Sequence, residues 1–176
     1  MMARAAIVHA PMLSLVIPTL DAAHALARSL AALASELSGI EVVVADGGSA
    51  DGTAGVAAAA GAKALLAPKG RGPQLRAGAE AASGEWLLFL HADTRLAPGW
   101  REVAEKFMAA PGNAERAAVF RLTLGDGDPR ARRIEKGAAW RGRVLGLAYG
   151  DQGRPSIPGG ATLIFEIELL EIVAAK

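Results

Sequence analysis

The chain has 176 residues, a formal net charge of +1 and no cysteine. That length fits one domain with a real core, and the charge gives no electrostatic case for nucleic acid or an acidic membrane surface. The lack of thiols excludes disulfides, thiol nucleophiles and cysteine-type zinc sites. Hydrophobic residues make up 52%, much of it alanine. No uninterrupted apolar run reaches the roughly 18 residues a membrane helix needs. Residues 1–25 superficially mimic an export signal, but Pro11, Pro18 and Asp21 interrupt them and 13–17 are better used as a strand. A cytoplasmic location is the expectation.

In chain order, 13–17 read as a first buried strand, ended by Pro18, which has no N–H for a central ladder. Thr19, Leu20 and Asp21 form a turn with Asp21 as N-cap. Residues 22–37 place Leu26, Leu30, Leu33 and Leu37 on one stripe, predicting a helix with one face on a sheet, closed by Gly39. The β-branched run 40–45 is a second buried strand. It delivers Asp46-Gly47-Gly48-Ser49-Ala50-Asp51-Gly52 to its carboxyl end, where open α/β sheets bind ligands. Glycines there permit φ > 0 and close approach of a ligand. Asp46 offers an acceptor pair for a ring N–H or a ribose hydroxyl. The plainer reading is a strand–turn–helix connection with Asp51 or Thr53 as N-cap. An Ala-rich helix over 53–60, ending at Gly61, and a short strand over 62–66 complete a β-α-β-α-β order. That order predicts parallel strands with right-handed crossovers.

Residues 68–74 form a loop rich in glycine and cations that opens a helix over 75–82, stopped by Gly84. Lys69, Arg71 and Arg76 add fixed charge to a helix N-terminus, an anion-attracting arrangement; a solvated basic loop is the alternative. Residues 85–90 are the fourth and most hydrophobic strand and lead into His91-Ala92-Asp93-Thr94. In an extended chain His91 and Asp93, at i and i+2, point the same way and could share a site. One carboxylate plus phosphate and water suits a hard divalent cation, and an added imidazole favours Mn²⁺ over Mg²⁺. Asp93 as a turn former and His91 as a core histidine is the plain alternative. A helix over 100–110 follows Pro98 and Gly99. Residues 117–124 alternate as one strand with a wet face. Residues 125–129 read as a turn, 130–147 as a basic helix and 149–160 as loop. Residues 161–174 are apolar with interspersed glutamates and fit either strand or helix.

Four stretches stand in the order and at the spacing of family 2 glycosyltransferases: Leu15-Val16-Ile17-Pro18-Thr19-Leu20, Val44-Ala45-Asp46-Gly47-Gly48-Ser49-Ala50-Asp51-Gly52-Thr53, Ala77-Gly78, and Leu88-Phe89-Leu90-His91-Ala92-Asp93-Thr94. The chain resembles the small bacterial branch with His-Ala-Asp-Thr in place of Asp-x-Asp and a later Gly150-Asp151-Gln152-Gly153. The likeness covers about 13–153. It implies an α/β fold: a single GT-A (Rossmann-like) domain with a mostly parallel central sheet flanked by helices and a shortened C-terminal part. The nucleotide-binding half would span about 13–95 and the acceptor half about 96–176. The implied activity is inverting, metal-dependent transfer of a sugar from a nucleotide-diphosphosugar, with a UDP-sugar the expected donor.

By the same resemblance, Pro18, Asp46 and Arg71 would surround the nucleotide, with Thr19, Gly48, Ser49, Asp51, Lys69, Gln74, His91 and Ala92 completing the donor site. Asp93 would hold Mn²⁺ or Mg²⁺ on the diphosphate, and Asp151 and Gln152 would face the acceptor or the sugar. Inversion by direct displacement needs a carboxylate base. Where the family carries Glu-Asp, this chain has Glu171-Ile172, and isoleucine cannot accept a proton. Glu171 and Asp151 are therefore the candidate catalytic carboxylates. A nucleotide-sugar-binding module without catalysis is the alternative. A nucleotidyltransferase would place Gly-x-Gly after the first strand, where this chain has Pro18-Thr19-Leu20-Asp21. A homodimer and peripheral membrane contact are compatible with the sequence; nucleic acid is not expected.

Overall fold

The computed structural model describes residues 12–114, 116–124, 163–166 and 172–174. The elements are β1 (Leu13–Thr19), α1 (Ala23–Leu33), β2 (Glu41–Asp46), α2 (Thr53–Ala59), β3 (Lys63–Leu66), α3 (Arg71–Ala81), β4 (Trp86–Phe89), β5 (Thr94–Leu96), α4 (Trp100–Ala109), β6 (Arg116–Ala118), β7 (Arg121–Leu124), β8 (Leu163–Glu166) and β9 (Ile172–Ala174). The first four strands make one parallel sheet in the order β3-β2-β1-β4. β5 pairs parallel with β8, which pairs antiparallel with β7. β6 and β9 form an antiparallel pair.

β1 and β2 are buried because both faces of the sheet are covered there. On one face Leu15, Ile17 and Val44 pack with Leu26, Leu30 and Leu33 of α1 and with Trp100 at the start of α4. Burying each such aliphatic side chain contributes about 1.5–3 kcal/mol. Phe107 of α4 meets the Trp86 ring edge-on, with centroids 5.6 Å apart. The Arg101 guanidinium donates to the carbonyls of Glu36 and Ser38, holding α4 against the segment after α1. On the other face lies α3, whose buried residues are Gln74 and Gly78. Gly78 allows the close approach: a Cβ there would lie 2.4 Å from Val16 Cγ1.

Several boundaries differ from expectation for physical reasons. β1 runs through Pro18 to Thr19. The Leu90 N–H donates to the Val16 carbonyl, so backbone groups at 16 and, two residues on, at 18 face β4. The β4 pairing stops at Val16–Phe89, so the donor that proline lacks falls where no ladder continues, while the β2 side pairs to Thr19–Asp46. α1 ends at Leu33, and Leu37 packs on the core from outside the helix. α3 begins at Arg71 rather than 75, since Pro73 is tolerated in a first helical turn. β4 is an edge strand, with Leu87 and Phe89 38% and 48% exposed. The expected strand over 117–124 is broken at Val119-Phe120 into β6 and β7, which join different sheets. The described parts of 161–174 are strands. The expected turn, helix and loop over 125–160 lie outside the described residues. Among the described residues no helix is long and apolar enough to cross a membrane.

Candidate functional site

Parallel strands put all their carboxyl ends on one edge; β1 and β2 end there in Thr19 and Asp46, and the segment after β4 carries His91 and Asp93. The densest cluster is around Asp46, the last residue of β2. Its Oδ1 accepts from Thr19 Oγ1 at 2.9 Å and Ser49 Oγ at 2.5 Å. Its Oδ2 accepts from the backbone N–H of Ser49 at 2.8 Å and of Gly48 at 3.2 Å. Asp46 is 6% exposed. Burial pushes its carboxyl up, but the hydrogen bonds from Ser49, Thr19 and Gly48 outweigh it and hold the pKa below the ordinary value. These bonds fill the roughly four acceptor positions of a carboxylate. The acceptor pair expected for a ligand is thus engaged within the protein. Two of its donors are hydroxyls that can rotate away; the two backbone N–H groups cannot. Gly48 adopts φ 92, which lets the chain curl back over the carboxylate.

The rest of this loop is laced to the turn after β1. Ser49 Oγ accepts from Asp21 N, and Asp21 Oδ1 accepts from Ala50 N. Asp51 Oδ2 accepts from Ala23 N at 2.9 Å, and Asp51 Oδ1 from Thr53 N at 3.1 Å. Thr53 Oγ1 accepts from Ala22 N and donates to Asp51. The N-cap positions of α1 and α2 are Ala22 and Gly52, neither of which caps through its own side chain. Asp51 supplies the acceptor at both helix starts. Asp21, expected to cap α1, instead sits at φ 47 and reaches the opposite loop; aspartate is among the few L-residues that visit this region.

Gln74 is buried, 4% exposed, and its amide nitrogen donates to the carbonyls of Thr19 at 2.5 Å and Ala45 at 2.9 Å. Both of its N–H groups are committed, so it offers a ligand no donor. Lys69 and Arg71 are exposed at the start of α3, where the helix dipole also favours an anion.

Beyond β4, His91 is half-buried and Ala92 is buried, its carbonyl accepting from Ser29 Oγ at 2.6 Å. Asp93 is exposed. The Thr94 N–H closes the turn onto the His91 carbonyl, and Thr94 Oγ1 is buried with no partner among the described residues. Among the described residues no three His, Asp or Glu side chains gather to cage a metal. A lone exposed carboxylate such as Asp93 could serve only a hard cation that draws its other oxygens from phosphate and water.

The structure thus brings Thr19, Asp46, Gly48 and Ser49 together, with Pro18 beside Ala45 in the ladder. The turn carrying His91, Ala92 and Asp93 follows β4, on the far side of β1 from β2 and Asp46, and β2 and β4 are two strand spacings, or roughly 10 Å, apart. Asp51 and Gln74 serve as braces. Asp151, Gln152 and Glu171 lie outside the described residues. Two supports went unanticipated, Asp21 in its cross-loop role and Ser29; the latter had a signal, a serine on the buried stripe of α1 next to Leu26 and Leu30.

The sequence matches the profile of glycosyl transferase family 2 over residues 14–165. No curated protein matches it. Solved structures of similar fold include mannosyl-3-phosphoglycerate synthase from Rubrobacter xylanophilus, at TM-score 0.51 and 24% identity, with 64% of this chain and 39% of that chain covered. Glucosyl-3-phosphoglycerate synthase from Mycobacterium tuberculosis, in complex with Mn²⁺, UDP and glucosyl-3-phosphoglycerate, matches at TM-score 0.53 and 21% identity, covering 77% and 53%. The mannosyltransferase PcManGT from Pyrobaculum calidifontis, in complex with GDP-Man and Mn²⁺, matches at TM-score 0.50 and 19% identity, covering 73% and 39%. The chain spans about half or less of the length of these structures. With its parallel β3-β2-β1-β4 sheet and the polar cluster at the strand ends, the chain belongs to glycosyl transferase family 2 and has the GT-A fold.

Proposed function

We propose that the chain binds a nucleotide-diphosphosugar across the carboxyl edge of the parallel sheet and transfers the sugar with inversion, in a divalent-metal-dependent reaction. The observation that carries this reading is the placement of the Asp46 cluster and the Asp93 turn at the same edge, on either side of β1. At the nucleoside end, a ligand N–H or O–H takes the place of the rotatable hydroxyl of Thr19 or Ser49 on Asp46. Lys69, Arg71 and the start of α3 offer positive charge to the diphosphate. Asp93, with His91 in the same turn, would hold Mn²⁺ or Mg²⁺, which when bound offsets the negative charge building on the departing diphosphate. The Mn²⁺ complexes of the glucosyl- and mannosyltransferase structures support this choice of cation, and their UDP and GDP-Man support the donor class.

In an inverting displacement the acceptor oxygen bonds to the anomeric carbon as the bond to the diphosphate oxygen breaks. The acceptor proton passes to a carboxylate. Glu171 is the proposed acceptor of that proton, with Asp151 and Gln152 on the sugar or acceptor side.

Calorimetry with UDP, GDP and dTDP, with and without Mn²⁺, followed by hydrolysis or transfer assays on the corresponding sugars, tests the proposal. One nucleotide should bind in a Mn²⁺-dependent manner, and Asp93→Ala should remove that dependence without unfolding the chain. Glu171→Gln should lower turnover about 10²-fold or more. A well-folded chain that binds none of the nucleotides overturns the reading. Binding with no turnover of any donor leaves a binding module and overturns the transferase.

A further inference from the structure

We infer that Gln74 is a positioning residue that locks the nucleoside end of the cleft to the helix start carrying the phosphate-facing cations; this rests on the nucleotide-sugar reading above. Its amide nitrogen bridges two carbonyls at the ends of neighbouring strands, Thr19 of β1 and Ala45 of β2. Thr19 itself donates to Asp46, and Ala45 directly precedes it. The Thr19 carbonyl also accepts from Gly47 N at 2.8 Å, so one oxygen joins β1, the Asp46 loop and α3. Gly47 is shaped to this contact. A Cβ at 47 would lie 3.2 Å from Gln74 Nε2 and 3.3 Å from its Cδ, so a side chain there would push the amide off its position.

Gln74 is the fourth residue of α3, three after Arg71. The Gln74 side chain therefore ties the start of α3 directly to the strand ends on either side of the Asp46 cluster. A purely space-filling glutamine would need neither donor. Here each donor meets a backbone oxygen at the strand ends, so the amide links α3 to β1 and β2 at once. Gly78, one helical turn on, holds α3 at the distance that makes both bonds reachable.

Gln74→Met keeps nearly the same volume and removes both donors. Two readouts test the role. The first is amide hydrogen exchange of the ligand-free chain. Exchange at Gly47, Gly48 and Ser49 should accelerate tenfold or more, while the Gly84 amide, at the opposite edge of the sheet and bonded to Ser14 Oγ, stays within twofold of wild type. The second is Mn²⁺-dependent affinity for UDP, or for GDP if that is the nucleotide wild type binds, which should fall about tenfold. Uniform acceleration at all of these amides, with a lower melting temperature, would show a structural filler and overturn the proposal. Unchanged exchange at 47–49, or unchanged nucleotide affinity beside selective acceleration, overturns it as well. Failure of wild type to bind any nucleotide refutes the glycosyltransferase reading and with it the link to phosphate, whereas the exchange experiment decides the clamp without a ligand.

Discussion

Gly78→Ala tests whether the close approach of α3 to the sheet is the reason for glycine in mid-helix. On helix propensity alone the change would stabilise by about 0.5–1 kcal/mol. The added methyl carbon, however, would lie 2.4 Å from Val16 Cγ1 and 3.5 Å from Ala45 Cβ. Val16 is fully buried in β1, and a β-branched side chain has few alternative rotamers. Either Val16 or the whole helix must move, and overpacking of this kind costs about 1–3 kcal/mol. Setting the two effects against each other gives a net loss of about 0.5–2 kcal/mol. Urea denaturation at neutral pH should show it as a lower midpoint with an unchanged slope. Val16→Ala removes the methyl group that clashes, so the double variant should be more stable than the sum of the two single losses by about 1 kcal/mol or more. A stabilised Gly78→Ala, or strict additivity in the double variant, refutes the reasoning.

Two further outcomes follow from the hydrogen bonds at the strand ends and beneath the sheet. Asp51→Ala removes the acceptor at the starts of both α1 and α2, so it should lower the thermal midpoint more than removal of the exposed Arg76–Glu80 pair by Arg76→Ala. The carboxyl pKa values of Glu41, Asp46 and Asp51 all lie below ordinary values. The Ser14 hydroxyl bond is the main cause at Glu41 and the Thr53 hydroxyl bond at Asp51, while at Asp46 the Ser49 bonds lead in overcoming burial. A depressed folded pKa contributes stability that is complete above the unfolded value and is lost as pH falls through the folded one. The urea midpoint should therefore be flat from neutrality to about pH 5 and drop below about pH 4, and Asp46→Asn should reduce that acid-side drop.

The β-α-β-α-β part of the fold was legible because its signals are local. Leu26, Leu30 and Leu33 mark α1 by spacing, and 40–45 mark β2 by β-branching, so the βαβ order and parallel sheet follow. Boundaries set by tertiary contacts were not legible. Pro18 looks like a strand terminator until the ladder alternation shows that its missing N–H faces the side where β4 has stopped. Asp21 looks like the cap of α1, yet the cap comes from Asp51, thirty residues along the chain, because the two loops cross at the sheet edge. Gln74, read as a donor-site residue, has the polarity of a ligand-binding side chain, and only its burial under Thr19 and Ala45 assigns both donors to backbone. The break at Val119-Phe120 depends on two separate sheets and leaves no mark in an alternating pattern.

The polar residues of the 46–53 loop divide into two groups with different consequences for function. Asp51 and Thr53 accept from backbone N–H groups at the helix starts. Asp46 is held partly by backbone and partly by the hydroxyls of Thr19 and Ser49. The hydroxyls are exchangeable donors, and they satisfy the carboxylate in the free protein so that it is never buried without partners. Under the proposed function, a nucleoside that displaced one of them would exchange one hydrogen bond for another with little reorganisation of backbone, because Gly47 N is held by the Thr19 carbonyl and the N–H groups of Gly48 and Ser49 by Asp46. The same wiring makes the site depend on the core. The Asp46 loop, the turn after β1 and the starts of α1, α2 and α3 share hydrogen bonds, so none can shift alone. Under the proposed function this arrangement would give a rigid, pre-formed nucleoside end, with ligand-dependent adjustment left to side chains such as Lys69, Arg71 and Asp93, which are exposed.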